Sequence, residues 1–231
     1  MGVVVITGAA SGMGLATTDL FLAKGWTVIA LDVQRVPIAD APGLLQSNVS
    51  VTDRAGLDAA LSELSAGKTI DAVVNVAGVY PPTTLENYTE ELFHRIFDIN
   101  VLGVINVTAA CLPYMTEGSA IVNFASVDAF TVSPGQLIYG ASKAAVVMLT
   151  KECALELAPR KIRVNGIAPG WVDTPGNAAT GRMEAAAASI PLGRVARPSE
   201  IAEWVWQLTG SGVAGFMTGE TIVISGGDVL R

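Results

Sequence analysis

Six short apolar runs, rich in β-branched residues, alternate with longer amphipathic stretches along the whole chain. The runs are VVVIT (3–7), TVIAL (27–31), DAVVNVA (71–77), AIVNFA (120–125), RVNGIA (163–168) and TIVIS (221–225), each of strand length. Helical periodicity falls at 12–24, 53–65, 88–115, 137–158 and 199–209. Strands separated by helices need right-handed crossovers, which build a parallel sheet covered on both faces. Strands buried on both faces also account for 51% hydrophobic and only 15% charged residues. No uninterrupted apolar run reaches the ~18 residues of a membrane span. One domain over 1–231 is the expectation for a chain of this length.

A net charge of −7 argues against nucleic acid or an anionic membrane as the main partner and leaves small molecules. The opening MGVVVITG carries no basic or apolar leader, so a cytoplasmic location is expected. Cys111 and Cys153 fall in separate helical stretches and read as reduced packing residues. The single histidine, His94, has no partner set for a Ser-His-Asp triad, and two separated cysteines offer no metal cluster. The stretch 175–190, dominated by Gly and Ala, reads as a mobile segment that covers a substrate site.

TGAASGMG (7–14) follows the first strand and opens the first helix. Gly8 permits a tight turn, Gly12 lets a pyrophosphate approach the backbone, and Gly14 allows close helix-to-strand packing. With Ser11 and Met13 they form a phosphate cradle at a helix N-terminus, where free N–H groups and the dipole favour an anion. No Walker lysine follows, so the pattern is not an ATP loop. Asp32, twenty residues beyond Gly12, is placed to accept from ribose hydroxyls and to repel a 2′-phosphate, which favours NAD over NADP. Arg35 keeps an NADP reading open. Asn48 and Val49 are placed to flank the adenine.

YGASK (139–143) puts Tyr139 and Lys143 one above the other on a helix face. NVAG (75–78), Asn100 in NVLG, Ser126 thirteen residues before Tyr139, PGWVDT (169–174), PLGR (191–194) and TGETIVISGG (218–227) stand in order around it. With these motifs the chain resembles the short-chain dehydrogenase/reductase family in its single-domain form, over essentially its whole length. In place of the family's NNAG it has Val76 for the second Asn. The four-residue spacing of Tyr139 and Lys143 departs from the enoyl-reductase branch.

The resemblance implies a doubly wound Rossmann fold with a seven-stranded parallel sheet, order 3-2-1-4-5-6-7, and helices on both faces. It implies a catalytic set of Asn100, Ser126, Tyr139 and Lys143 for reversible hydride transfer between NAD(H) and a secondary alcohol or ketone. Tyr139 exchanges the proton, helped by a nearby cation, and Ser126 bonds the substrate oxygen. Lys143 also holds the nicotinamide ribose, while Asn100 kinks its helix and holds a water. Asn75, Ala77 and Gly78 close the fourth strand against the coenzyme, and Pro169, Gly170, Val172 and Thr174 meet the nicotinamide carboxamide. Residues expected to face the substrate include Tyr80, Asp128 and Trp171 along with the 175–190 segment. An aliphatic or cyclic secondary alcohol is expected, with Asp128 meeting a second hydroxyl. A dinucleotide sensor that keeps the fold without turnover, and an NADP(H)-dependent carbonyl reductase, are the alternatives. Val104, Ala109, Val146, Val147 and Ala154 form an apolar surplus on two helices, which, with the family resemblance, implies a homotetramer.

Overall fold

A computed structural model describes residues 2–39 and 41–230. Seven strands form one parallel sheet: β1 (Val3–Thr7), β2 (Thr27–Asp32), β3 (Leu44–Asn48), β4 (Ala72–Asn75), β5 (Ala120–Phe124), β6 (Arg163–Pro169) and β7 (Thr221–Ile224). Their order is β3-β2-β1-β4-β5-β6-β7, as the resemblance implies. Strand order reverses its march across the sheet between β1 and β4, the crevice where ligands bind in folds of this type.

Alternation along each strand divides the core. Val3, Val5, Ile29, Leu31, Val73 and Ile121 face α2 (Arg54–Ser65), α4 (Gly103–Cys111) and α5 (Leu137–Leu157). Val4, Ile6, Val28, Val74 and Val122 face α1 (Gly12–Ala23) and α8 (Pro198–Thr209). Since both faces are filled, the central strands β1, β2, β4 and β5 are mostly apolar. On the second face Phe21, Trp26 and Trp206 meet edge-on with ring centroids 5.3–5.7 Å apart. Gly25, at φ 77°, turns the chain out of α1, and Pro198 opens α8.

Three features depart from the sequence reading. The helical stretch from residue 88 is not continuous but is divided into α3 (Glu90–Phe97), a wide π turn (Asp98–Leu102) and α4, with the break at Asn100, where the resemblance implied a kink. The 175–190 stretch holds two short helices, α6 (Pro175–Ala178) and α7 (Met183–Ser189). The apolar surplus lies elsewhere than expected. Val104, Val146 and Ala154 are buried inside the chain, because α4 and α5 each cover part of the sheet, and the exposed apolar residues of this region include Phe93, Leu102, Ile105, Met148 and Leu155. The helical run Glu90–Tyr114 is long and apolar enough to cross a membrane by length and composition, yet half of its apolar window is buried within the protein. Cys111 and Cys153 are free thiols.

Candidate active site

Two cavities of about 360 and 370 Å³ lie side by side at the carboxyl ends of the strands. Met13, Tyr80, Ala125, Tyr139 and Thr174 line both, so Tyr139 stands at their junction.

The first cavity begins at the glycine-rich turn. Gly8 and Gly12 hold φ values of +64° and +53°, which side-chain-bearing residues rarely adopt. A Cβ on Gly14 would collide with the Gly8 carbonyl oxygen, so Gly14 serves helix packing and lies off the cavity wall. Ser11 sits at the N-cap of α1, but its hydroxyl makes no capping bond and remains available beside the unpaired N–H groups of the first turn. Asp32 ends β2 on the cavity wall. Its carboxylate accepts from the Ala10 and Gln34 amides, both at 2.9 Å, leaving about two of its four acceptor sites for hydroxyls. Val49, Ala77 and Gly78 complete this wall. A glycine cradle, a free hydroxyl at a helix N-terminus and a carboxylate at the far end fit a dinucleotide.

Asn48 and Asn75 lie outside both cavities. The exposed Asn48 side chain donates to the Val33 carbonyl at 3.3 Å. Asn75 is buried, and its Nδ2 donates to Asn123 Oδ1 at 2.9 Å and Thr108 Oγ1 at 3.3 Å. It therefore supports the sheet below the site rather than facing a ligand. Thr7, which sequence reasoning missed, ties β1 to the end of β4. Its hydroxyl accepts from the Val76 and Ala77 amides at 3.1 and 3.2 Å.

Tyr139 and Lys143 project from one face of α5. Lys143 Nζ is buried, donates to the Phe124 carbonyl at 2.7 Å and lies 5.7 Å from the centre of the Tyr139 ring. Burial lowers its pKa to about 8, so the ammonium persists at neutral pH. Part of the Tyr139 ring faces the cavities, yet burial pushes its phenol up. A hydrogen bond with Ser126 pulls it down, and the charges of Asp128 and Tyr80 add to the upward push. The Lys143 ammonium is directed at the Phe124 carbonyl rather than at the phenol oxygen. Ser126 accepts from the Asp128 amide at 3.1 Å, and its O–H is the donor that stabilises the Tyr139 oxygen.

Two of the three small residues of YGASK have a structural reason, while Ala141 is exposed. A Cβ on Gly140 would lie 3.1 Å from the Asp128 carbonyl oxygen, so only a small residue fits there. Ser142 donates to the Tyr139 carbonyl at 2.7 Å and accepts from Asn100 Nδ2 at 3.0 Å. Asn100 sits in the π turn, a distortion common at functional sites, and grips Val79 through both backbone groups, at 2.8 and 2.9 Å. Its side chain lies outside both cavity walls and links the loop after β4 to α5. Gly78 leaves room at this point, since a Cβ there would lie 3.3 Å from Asn100 Oδ1 and 3.4 Å from Lys143 Nζ.

Ser126, Asp128, Pro169, Gly170, Trp171, Val172 and Thr174 line the second cavity. The Thr174 hydroxyl caps α6 by accepting from the Asn177 amide at 3.3 Å, and it hydrogen-bonds Tyr80. The Tyr80 ring meets the Tyr139 ring at 5.8 Å. Neither Tyr80 contact is marked in the sequence, because one joins the loop after β4 to the loop after β6 and the other joins it to α5. His94 lies on α3 against Phe93, away from both cavities.

The model of a protein family described as enoyl-(acyl carrier protein) reductase matches residues 8–228. A 3-oxoacyl-[acyl-carrier-protein] reductase of Thermotoga maritima is 40% identical over 242 residues, covering 99% of this chain and 98% of the relative. A cyclopentanol dehydrogenase of Comamonas testosteroni is 33% identical, covering 97% and 96%. Among solved structures, an aldohexose dehydrogenase of Thermoplasma acidophilum superposes with a TM-score of 0.92 at 29% identity, over 100% of this chain and 94% of that one. With a parallel sheet in this order and relatives matched end to end, the chain belongs to the short-chain dehydrogenase/reductase family, oxidoreductases that act on small molecules with a nicotinamide dinucleotide.

Proposed function

We propose that this protein is an NAD-linked dehydrogenase that interconverts a secondary alcohol and its ketone, with Tyr139 as general acid and base. The observation that carries this reading is the place of Tyr139: at the junction of the two cavities, bonded to Ser126, with Lys143 one turn along α5. The four-residue spacing on one helix face supports an alcohol/ketone reaction rather than the enoyl reduction named by the family model. The coenzyme, when bound, supplies the nicotinamide ring that accepts or returns the hydride.

The residues divide the remaining work. The glycine turn and Ser11 hold the pyrophosphate, Asp32 accepts from the adenosine ribose, and Lys143 donates to the nicotinamide ribose. Val49 flanks the adenine. Pro169, Gly170, Val172 and Thr174 meet the carboxamide end. Ser126 donates to the substrate oxygen, and Tyr139 takes the alcohol proton. Lowering the raised phenol needs positive charge beside it, which Lys143 provides and the oxidised ring augments. Asn100 holds α5 against the loop after β4, so its part is positioning. Asp32 disfavours a 2′-phosphate and so selects NAD over NADP. The whole of 1–231 acts as one domain, with 175–190 closing over the substrate. The protein works in the cytoplasm as a homotetramer.

Replacing Tyr139 with Phe tests the reading. Coenzyme reduction with a secondary alcohol should fall by about 10²–10⁴-fold while NAD binding persists. A variant as fast as its parent would refute the proposal. Tight NAD binding by the parent with no turnover across a broad alcohol and ketone panel would identify a dinucleotide sensor instead.

A further inference from the structure

The second cavity has an unusual wall for an apolar alcohol. Beside Tyr139 stands Asp128, on the turn that follows Ser126, with Oδ1 accepting from Ser133 Oγ at 2.5 Å. Among the described residues no cation lies within 4 Å of this carboxylate, and its charge is felt at the Tyr139 phenol. Gln136, one turn before Tyr139 on the same stretch of chain, lines the cavity too, and its side-chain carbonyl is buried without a hydrogen-bond partner. Rotation about the Cγ–Cδ bond, a broad torsion, brings either end of that group toward a ligand. A second carboxylate, Asp228, lies on the rim. The one guanidinium, Arg182, is exposed and rests over the Trp171 ring at 5.3 Å. The wall thus presents hydrogen-bond acceptors and a net negative charge to whatever reaches Tyr139.

We infer that the substrate is an uncharged polyhydroxylated alcohol, in which a hydroxyl next to the reacting carbinol donates to Asp128, and that anionic hydroxy acids and phosphate esters are excluded. This rests on the alcohol/ketone reading above and names its substrate class. A neighbouring hydroxyl gives Asp128 the donor that an apolar alcohol leaves missing, and a hydrogen bond to a charged acceptor is among the stronger ones. An anionic group in the same place meets an unneutralised carboxylate in a partly enclosed cavity. A site built around a substrate hydroxyl rejects analogues that lack it, because the site's own polar group is then left unpaired.

The test compares cyclohexanol, cyclohexane-1,2-diol and 2-hydroxycyclohexanecarboxylate as substrates with NAD, for the parent, Asp128→Ala and Gln136→Leu. The expected parent kcat/KM is at least about tenfold higher for the diol than for the mono-alcohol, and at least about tenfold lower for the hydroxy acid. In Asp128→Ala the diol-to-mono-alcohol ratio should collapse toward one and the hydroxy acid should recover. Gln136→Leu should lower the ratio by a smaller factor. NAD affinity, read separately, shows that each variant is folded. Equal parent rates on diol and mono-alcohol, a parent preference for the hydroxy acid, or an Asp128→Ala variant that slows both alcohols alike would overturn the inference while leaving the alcohol reading intact. Turnover of none of the three, together with no reduction of the matching ketones by NADH, would overturn both.

Discussion

Lys143 should make the free protein less stable than it need be, and its replacement by Met should reveal by how much. The side chain is 5% exposed, and burial lowers its pKa from 10.5 to about 8. In the unfolded chain the amine holds its proton up to about pH 10.5, but in the folded protein only up to about 8. Between these values the unfolded state binds more protons, so stability rises with pH across that window, and the penalty is complete below it. At ~1.36 kcal/mol per pH unit it amounts to about 3 kcal/mol at pH 7. Met fills nearly the same volume without charge but leaves the Phe124 carbonyl unpaired, which costs about 1–2 kcal/mol. Lys143→Met should therefore be about 1–2 kcal/mol more stable than the parent at pH 7 and less stable by a similar amount near pH 10.5, with activity lost throughout. Urea unfolding of both proteins without coenzyme, at several values between pH 7 and 10.5, measures the difference. A difference that does not change with pH, or a parent that is the more stable at pH 7, would refute the reasoning.

Other consequences follow from single residues. Asp32→Asn removes the charge but keeps one oxygen for the Ala10 or Gln34 amide; with the repulsion discounted for the partial exposure of this site, the kcat/KM ratio of NADP to NAD should rise about 10–100-fold, and an unchanged ratio would remove Asp32 from coenzyme selection. Gly14→Ala places a methyl against the Gly8 carbonyl; it should cost about 1–3 kcal/mol by thermal unfolding and raise the KM for coenzyme, and a neutral result would show that the turn can shift freely.

How far the sequence could be read depended on whether a signal was local. Five of the six apolar runs are central strands and the sixth, β7, is a half-buried edge, yet each stands where its residues suggested. β3 is the weaker case: LLQSN sits at an edge, half open to solvent, and Gln46, Ser47 and Asn48 blur its pattern. The π turn left no mark in composition, because Asp98–Leu102 reads as ordinary helix; only the family resemblance placed a kink there, at Asn100, whose side chain reaches across to Val79. In 175–190 the helices are four and seven residues long, too short for a periodicity to emerge. The glycine turn and YGASK were legible because their chemistry depends on neighbours in sequence. The pairing of Tyr80 with Thr174, the Thr7 clasp and the Phe124 carbonyl depend on strands brought together by the fold, and no spacing within one segment records them. The apolar surplus on α4 and α5 is exposed at Ile105, Met148 and Leu155 rather than at Val104, Val146 and Ala154, because a count of apolar residues does not say which of them face inward.

The buried polar residues beneath the site explain how its geometry is kept in so apolar a core. Thr108, Asn75, Asn123 and Thr150 form a chain of hydrogen bonds across β4 and β5, from α4 to α5, with steps of 3.3, 2.9 and 3.1 Å. Each side chain meets a partner from a different element, so the chain fixes β4, β5 and both helices relative to one another. Asn123 is the residue before Phe124, whose backbone carbonyl receives Lys143. The ammonium is therefore positioned by the register of β5 rather than by a second ionisable group. A carbonyl has no protonation state to lose and cannot be removed by substitution. Changes to the side chain at 124 should leave Lys143 in place as long as that register holds, whereas a change at Asn123 that unpairs Asn75 and Thr150 should disturb it without touching either cavity.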